Sequence, residues 1–341
     1  MQKAYRDHPD TLFFLYLAPI PASNGEIRIH GILLGTTAQY CTYFTNVPWR
    51  VMIRALKENS KPTGPAKPIW RYITMNKTAD RTLDLAKGRV DLYSKNGITL
   101  YAYQTRDAID NEVFVLAKNG RGVVIELPCF HDNIRELTDF LTREGIAVEG
   151  KLVAYHAAGA SFLPGVPAYG TASSVAYNTT GGGAALVHNF EQAFGESFDA
   201  GLCPVDHVLE EGETTIAGIR FVVKPNAEAF DLEIPEINCV YTHMMGHDCH
   251  SIVAGCPHAD GMISQLNYYI RHGFDLVLTA HYTPEDLKDA RTKVAYLNDL
   301  KDIALTCDTA AEMKEKVQAK YPNYTGMNYL DMTVGFFFPQ K

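Results

Sequence analysis

The sequence lacks the features that mark membrane proteins and disulfide-rich secreted proteins. No apolar run approaches the roughly 18 residues that a membrane-spanning helix needs, and charged residues make up 21% of the chain. The seven cysteines are an odd number and include no Cys-x-x-Cys pair, which argues against a disulfide framework and favours a reducing compartment. We therefore expect a cytoplasmic protein that does not cross a membrane.

An excess of positive charge is also missing. The 31 lysines and arginines are outnumbered by 39 aspartates and glutamates, and the basic residues are scattered among the acidic ones. Such a chain offers no positive field to a phosphate backbone, so nucleic acid is not an expected partner. The expected partner is a small-molecule substrate or ligand, and a homodimer is left open.

Tandem repeats and low-complexity tracts are absent, and 341 residues suffice for one large domain or two smaller ones. From residue 97 onward, strand candidates such as "NEVFVLAKNG" alternate with helical segments such as "HDNIRELTDFLTREG". This order predicts an α/β or α+β fold with two mixed sheets and helices outside them. We expect a β-rich extension or small domain over residues 1–96, the main domain over 97–305, and a C-terminal helix and tail over 306–341.

Four polar residues lie where a predicted strand gives way to a loop. They are His156, Glu228, His243 and His281. Side chains at strand ends can converge over one edge of a sheet, which is where α/β folds place their sites. Taken singly, each histidine also has a structural explanation, because a lone histidine beside an apolar strand is usually a hydrogen-bonded core or surface residue. The recurrence of the pattern is the main clue to a site.

The stretch "VYTHMMGHDCH" holds further candidates. Its histidines would share one face of a continuous helix, but its first residues are typical of a strand and Gly246 weakens a helix. We expect His247 and His250 to line a pocket or to orient their neighbours. Metal-independent catalysis by these two histidines with Asp248 stays open as an alternative. Tyr282, at the end of another predicted strand, could donate a hydrogen bond to a substrate oxyanion.

Residues 97 to about 305 resemble the metallo-β-lactamase superfamily, and within it the alkylsulfatase branch. The strongest match is "KPNAEAFDLEIPEINCVYTHMMGHDCHSI", which is similar to the family's Thr-Glu-Ala loop, its Pro-Glu-Leu turn and its His-x-x-His. The resemblance implies an αββα sandwich that carries the β-rich N-terminal extension. It also implies that Glu228 matches a metal-ligand glutamate, that His243 stands where a second such glutamate is expected, and that His281 matches the final ligand histidine.

The same resemblance breaks at one loop. His156 matches the first histidine of the family's His-x-His-x-Asp-His loop, but Ala158, Ala160 and Ser161 replace the three other ligands. These side chains cannot donate lone pairs of the strength that a second ion needs. We therefore expect one divalent ion in place of two, zinc first, with iron or manganese as alternatives. Its expected ligands are His156, Glu228, His243 and His281.

The predicted function is hydrolysis of a small ester-like substrate, namely a sulfate, a phosphate, a carboxylic ester or a lactone, through that single metal ion. Glu228, His247 and His250 are the expected catalytic residues. Tyr282 and Asp248 are the expected substrate contacts. The alternative is a protein of the same fold that has lost its metal centre, holds no cofactor, and binds a small molecule or a partner.

Overall fold

The structure is a computed structural model that describes residues 74–339 and the strand segments 14–21, 27–34 and 41–44. The chain divides into two compact units, Met1–Tyr72 and Ile73–Lys341. In the first unit, three antiparallel strands form a sheet in chain order. They are β1 (Phe14–Pro21), β2 (Ile27–Leu34) and β3 (Cys41–Phe44).

The second unit contains an eight-stranded sheet whose strands lie side by side in chain order. They are β4 (Arg81–Asp84), β5 (Arg89–Lys95), β6 (Ile98–Gln104), β7 (Glu112–Lys118), β8 (Arg121–Ile125), β9 (Ala147–Leu152), β10 (Ala168–Thr171) and β11 (His207–Leu209). The pairs from β4 to β8 are antiparallel, and those from β8 to β11 are parallel. Asn119 and Gly120, between β7 and β8, have φ values of 53° and 76°, as a two-residue hairpin turn requires.

A six-stranded sheet follows in the same unit, again in chain order. Its strands are β12 (Gly212–Ile216), β13 (Ile219–Pro225), β14 (Phe230–Ile234), β15 (Cys239–Thr242), β16 (Leu276–Thr279) and β17 (Tyr282–Glu285). All neighbours are antiparallel except β15 and β16, which are parallel. A parallel pair needs a crossover connection, and the helix Gly255–His272 supplies it.

The helices of the second unit are α1 (His131–Arg143), α2 (Ala172–Thr180), α3 (Gly182–Phe194), α4 (Gly255–His272), α5 (Leu287–Ala304), α6 (Ala310–Lys320) and α7 (Met327–Phe337). A short 3₁₀ helix spans Gly195–Ser197. Helix α1 buries the apolar face that its sequence predicts, with Leu137 and Phe140 at its centre. None of the described helices combines the length and the apolar character that a membrane crossing needs.

The central core lies between the two sheets. Phe114 of β7 meets Tyr241 of β15 edge to face at 6.2 Å between ring centroids, and Phe221 of β13 is equally buried. Truncation of such a phenylalanine to alanine typically costs about 3–5 kcal/mol. Helix α1 packs on the outer face of the eight-stranded sheet. Helices α4 to α7 pack on the outer face of the six-stranded sheet. The arrangement is helix, sheet, sheet, helix, so the predicted fold class is confirmed.

The unit boundary differs from the predicted one. It falls between residues 72 and 73 rather than at 96, because β5 pairs with β6 along its whole length through the Asn96–Gly97 turn. The C-terminal segment is also no separate element: Met313 of α6 and Leu330 of α7 share one buried cluster with Val277 of β16. Strands before residue 97 and helices after residue 305 therefore complete the sandwich.

Candidate metal centre

Three histidines lie just after strands of the two sheets. His156 follows β9, His243 follows β15 directly, and His281 follows β16. Each offers one ring nitrogen, and the three nitrogens lie within 4.8 Å of one another. The backbone fixes these strand ends, because the Ala280 N–H donates to the His243 carbonyl at 3.0 Å. Three of the four predicted metal ligands are thus brought together.

Hydrogen bonds orient two of the three imidazoles. The Nδ1–H of His156 donates to the Oδ1 of Asn111 at 3.0 Å. The amide nitrogen of Asn111 donates to the Leu127 carbonyl at 2.7 Å, so the amide oxygen must face the histidine. The Nδ1–H of His281 donates to the Ile109 carbonyl at 3.1 Å. With Nδ1 protonated, the Nε2 of each ring carries the free lone pair that a metal ligand needs.

The third imidazole has no such partner. The Nδ1 of His243 is buried and makes no hydrogen bond within the described part of the chain. Its ring stacks on Tyr155 with centroids 4.1 Å apart and planes 15° apart. A buried polar atom without a partner is rare in proteins. Beside two other lone-pair nitrogens, an ion would give this ring a partner.

Burial keeps all three rings neutral. Burial lowers the pKa of His156 to about 4. Burial and the neighbouring His156 lower the pKa of His281 to about 4. Burial, His281 and His156 hold the pKa of His243 well below its usual range. Since only the neutral imidazole can bind a metal ion, the cluster is in its ligand form at neutral pH.

A buried glutamate binds the backbone of the loop that carries His156. Glu126 directly follows β8 and has a positive φ of 62°, which costs a non-glycine residue about 1 kcal/mol or more. Its carboxylate accepts hydrogen bonds from the backbone N–H groups of Tyr155 (2.9 Å) and His156 (2.8 Å) and from the hydroxyl of Tyr241. Burial raises the pKa of Glu126. The strained glutamate therefore anchors the loop that carries the first histidine.

The fourth predicted ligand, Glu228, does not join the cluster. Its side chain is exposed, and among the described residues it belongs to no group of converging ligand atoms. The physical reason is a local turn: the side-chain oxygen of Asn226 accepts the N–H groups of Glu228 (3.0 Å) and Ala229 (2.8 Å). This turn leaves Glu228 exposed beside the cluster, where it is placed neither as a ligand nor as a base.

Ala158 and Ser161, which lie where the sequence resemblance places further metal ligands, contact neighbouring backbone and side chains. Ala158 is buried and forms an isolated β-bridge with Leu202. The N–H and hydroxyl of Ser161 both donate to one carboxylate oxygen of Asp199, at 2.8 and 2.6 Å. These positions hold neighbouring backbone together and offer no ligands, as the sequence predicts.

His247 lies in a different environment. Its Nδ1 is 2.8 Å from a carboxylate oxygen of Glu285, and its Nε2 is 3.7 Å from Asp289. The hydrogen bond to Glu285 raises the pKa of His247. Asp289 also forms an ion pair with Lys77 at 2.7 Å. This second group could geometrically hold an ion, but the imidazolium and the Lys77 ammonium already balance its two carboxylates.

The other predicted site residues lie near His247. The hydroxyl of Tyr282 donates to Asp248, so the two expected substrate contacts are bonded to each other. His250 is 1% exposed, and its Nδ1 is 2.9 Å from the hydroxyl of Tyr296. The Nε2 of His250 is buried without a partner among the described residues.

A buried lysine that the sequence analysis missed holds this stretch in place. Lys293 of α5 is fully buried, and its Nζ donates to the carbonyls of Gly246 (3.0 Å) and Cys249 (2.7 Å). Burial lowers the pKa of Lys293 to about 8. The sequence does not reveal its role, because its hydrogen-bond partners are backbone carbonyls, which any residue can supply.

A cavity of about 530 Å³ opens beside the histidine cluster. Its lining includes His281 and Asn111 together with His250, Cys249 and Tyr282. His281 therefore belongs to both the cluster and the cavity. The size suits a small molecule.

The chain is similar to several solved structures. The stereoselective inverting sec-alkylsulfatase Pisa1 from Pseudomonas sp. is 13% identical, with a TM-score of 0.51 over 70% of this chain and 48% of that one. A double mutant of that enzyme is 12% identical, with a TM-score of 0.50 over 69% and 48%. The DIM-1 metallo-beta-lactamase is 14% identical, with a TM-score of 0.41 over 63% and 99%. This chain spans about half the length of the sec-alkylsulfatase.

No protein-family model matches the chain, and no curated protein sequence matches it significantly. At such low identities the structural likeness establishes the fold. Residues 74–339 have the fold of the metallo-β-lactamase superfamily, and the predicted resemblance to its alkylsulfatase branch is confirmed at that level.

Proposed function

We propose that this chain, with its metallo-β-lactamase fold, is a hydrolase of small esters that uses one divalent metal ion held by His156, His243 and His281. One observation carries the proposal: three imidazole nitrogens from separate segments lie within 4.8 Å of one another. Catalytic zinc sites commonly have three protein ligands and leave one position open. The proposal replaces the four-ligand set expected from the sequence by the three histidines alone.

The donor set fits such an ion. All three rings are neutral, two have their Nδ1–H groups bound to oxygen acceptors, and the Nδ1 of His243 is buried without a partner. Imidazole nitrogens suit zinc, whereas manganese prefers oxygen ligands that this cluster does not offer. We therefore favour zinc, with iron as the alternative.

A divalent ion in such a site polarises an ester carbonyl and lowers the pKa of water to near neutrality. The chain's own residues supply orientation. Asn111 and the Ile109 carbonyl hold the rings of His156 and His281, and Glu126 holds the backbone of the His156 loop. His281 also faces the cavity, so an ester bound there lies next to the cluster.

The test is hydrolysis of p-nitrophenyl acetate by the full chain, first dialysed against a strong chelator and then reloaded with zinc. Activity should disappear on dialysis, return with about one equivalent of zinc, and be absent in His243→Asn. His188→Asn is the matched control, because His188 is an exposed histidine of α3. Circular dichroism verifies that both variants fold. Activity that survives the chelator would contradict the proposal and favour metal-independent catalysis by His247, His250 and Asp248.

A ligand-binding protein without a metal ion is the second candidate function. The structural use of Ala158 and Ser161 favours it, because these residues, at positions where the sequence resemblance places metal ligands, hold neighbouring backbone together. It predicts that the cavity binds a small molecule equally well with and without zinc. The same zinc-loaded and metal-free preparations distinguish the two candidates.

A further inference from the structure

A buried carboxyl group faces the cavity beside the histidine cluster. Glu112 is the first residue of β7, is 2% exposed, and lines the cavity together with His281. Its Oε1 is buried and has no hydrogen-bond partner in residues 74–339. A buried polar atom without a partner is destabilising, so a ligand that reaches it gains binding energy.

The surroundings of Glu112 favour its neutral acid form. A lone buried carboxylate is costly in the absence of a cation. The cation nearest in its surroundings, Arg89, forms an ion pair with Asp91 at 3.0 Å. Burial and the charge of Asp91 hold the pKa of Glu112 well above its usual range. The group therefore presents one O–H donor and one carbonyl acceptor, with no net charge.

A second buried group of the cavity wall is also neutral and lacks a partner. The Nε2 of His250 is buried without a hydrogen bond in the described residues, while its Nδ1 is bound to the hydroxyl of Tyr296. Burial lowers the pKa of His250 to about 4. The cavity thus holds two neutral, buried groups that a ligand can satisfy.

The cavity offers little to an anion. Among its described lining residues, Arg106 is the sole lysine or arginine, and it forms an ion pair with Asp84 at 3.0 Å. Lys293 lies behind the wall and donates to two backbone carbonyls. Apart from the proposed metal ion at the cluster, a sulfate or phosphate group placed beside Glu112 and His250 would find no unpaired cation among the described lining residues, which disfavours it.

We propose that the cavity selects uncharged carboxylic esters and lactones over sulfate and phosphate esters, with the Glu112 O–H donating to a substrate oxygen and His250 forming a second hydrogen bond. This inference rests on the proposed function, because it names the substrate class of the same site. Glu112 is a specificity-determining residue that binds substrate through a neutral hydrogen bond. Charge on Glu112 has no part in this binding.

The test compares substrates and non-hydrolysable mimics on the zinc-loaded full chain. Turnover of p-nitrophenyl acetate and δ-valerolactone is measured against p-nitrophenyl sulfate and p-nitrophenyl phosphate, each after subtraction of its spontaneous rate. Calorimetry gives the affinities of δ-valerolactam, which is uncharged, and of ethanesulfonate, which is anionic. We expect the lactam to bind at least about tenfold more tightly than the sulfonate, and the acetate and the lactone to be turned over in preference to the sulfate and the phosphate.

Two variants of Glu112 separate hydrogen bonding from charge. Glu112→Gln keeps a neutral donor and acceptor, so KM and the lactam affinity should stay within about threefold of the wild type. Glu112→Ala removes both groups and should weaken lactam binding about tenfold. Glu144→Ala, at an exposed glutamate after α1, is the matched control and should change neither value.

Preference for the sulfate or phosphate ester, or a loss in Glu112→Gln as large as in Glu112→Ala, would overturn the inference. If no substrate is turned over, the calorimetry decides: tighter binding of the lactam supports the inference and tighter binding of the sulfonate refutes it. Failure of the chain to bind zinc would sink the proposed function alone, because lactam binding by the metal-free chain still tests the cavity.

Discussion

Two groups of converging side chains in residues 74–339 shift the pKa values of their histidines in opposite directions. His156, His243 and His281 face one another and keep low pKa values. His247 faces Glu285 and Asp289, and its pKa is raised. The residue type is the same, and the groups around each ring decide the outcome. An imidazole among other imidazoles away from solvent favours its neutral form, whereas an imidazole between carboxylates favours its protonated form.

The second cluster has a structural role. Glu285 is 1% exposed in its side chain and accepts the backbone N–H groups of Gly246 (2.9 Å) and His247 (2.8 Å). Lys293 binds the carbonyls of the same stretch. Charge pairing therefore fixes the loop that forms one wall of the cavity, while the neutral cluster beside it is left with free lone pairs.

The largest expected effect on zinc affinity comes from removing one histidine of the neutral cluster. His281→Ala should lower zinc affinity by more than about 100-fold, because loss of a group that merely orients a ligand already costs 10–100-fold. Competition with a chromogenic chelator measures the affinity. His247→Ala should leave zinc affinity within about threefold. Equal losses in the two variants would show that the clusters do not differ as described.

The next effect concerns orientation of a ligand. Asn111→Leu removes the acceptor of the His156 Nδ1–H and should lower zinc affinity about 10–100-fold. Asn111→Asp keeps an acceptor oxygen at this position and should retain most of the affinity. The same chelator competition measures both variants. If both lose affinity to the same extent, Asn111 acts through packing and the proposed orientation is refuted.

A smaller effect tests the charged cluster through stability. The pKa of His247 in the folded chain lies above its unfolded value of about 6.5. The imidazolium therefore stabilises the fold fully below about pH 6.5, and this contribution is lost as the pH rises through the higher folded-state pKa. It is worth about 1 kcal/mol or less, because the ring is partly open to solvent.

Urea unfolding of the wild type and of His247→Gln between pH 5.5 and 9 measures this contribution. The difference in unfolding free energy should shrink as the pH rises. His272→Gln, at a histidine of the last turn of α4 without a carboxylate ion pair among the described residues, is the comparison variant. A difference for His247→Gln that grows with pH would contradict the assigned charge state.

The smallest expected effect is at the residue that sequence similarity favoured. Glu228→Gln should change zinc affinity less than about twofold, because the side chain is exposed and outside the converging group. The chelator competition used for the histidines applies here too. A loss comparable to that of His281→Ala would place Glu228 in the metal site and restore the four-ligand set.

Much of the fold follows from sequence pattern. The Asn-Gly turns, the alternation of strands and helices and the apolar face of α1 all rest on local signals. The predicted boundary at residue 96 was not found, because the Asn96–Gly97 turn joins β5 to β6 within one sheet. The C-terminal helices similarly reveal their place only through packing against the second sheet.

The sequence predicts only part of the site, because contacts between distant segments leave no local signal. Histidines that directly follow predicted strands can be recognised in the sequence. Their hydrogen-bond partners cannot, because they are distant in sequence or belong to the backbone. Asn111 is 45 residues from His156, and Ile109, whose carbonyl binds His281, is 172 residues from it. Glu285 lies 38 residues from His247. Glu112 is the first residue of a strand, a position where a glutamate is usually exposed, and its burial beside the cavity is seen only in the structure. Motif similarity could not foresee the turn that leaves Glu228 exposed.

The most direct measurement of the central claim is mass spectrometry of the intact chain under non-denaturing conditions after incubation with zinc. The neutral cluster predicts one zinc ion per chain in the wild type and in His247→Gln, and none in His156→Asn. Two ions per chain, or an unchanged ion in His156→Asn, would contradict the claim that three half-buried, neutral histidines form the single metal site.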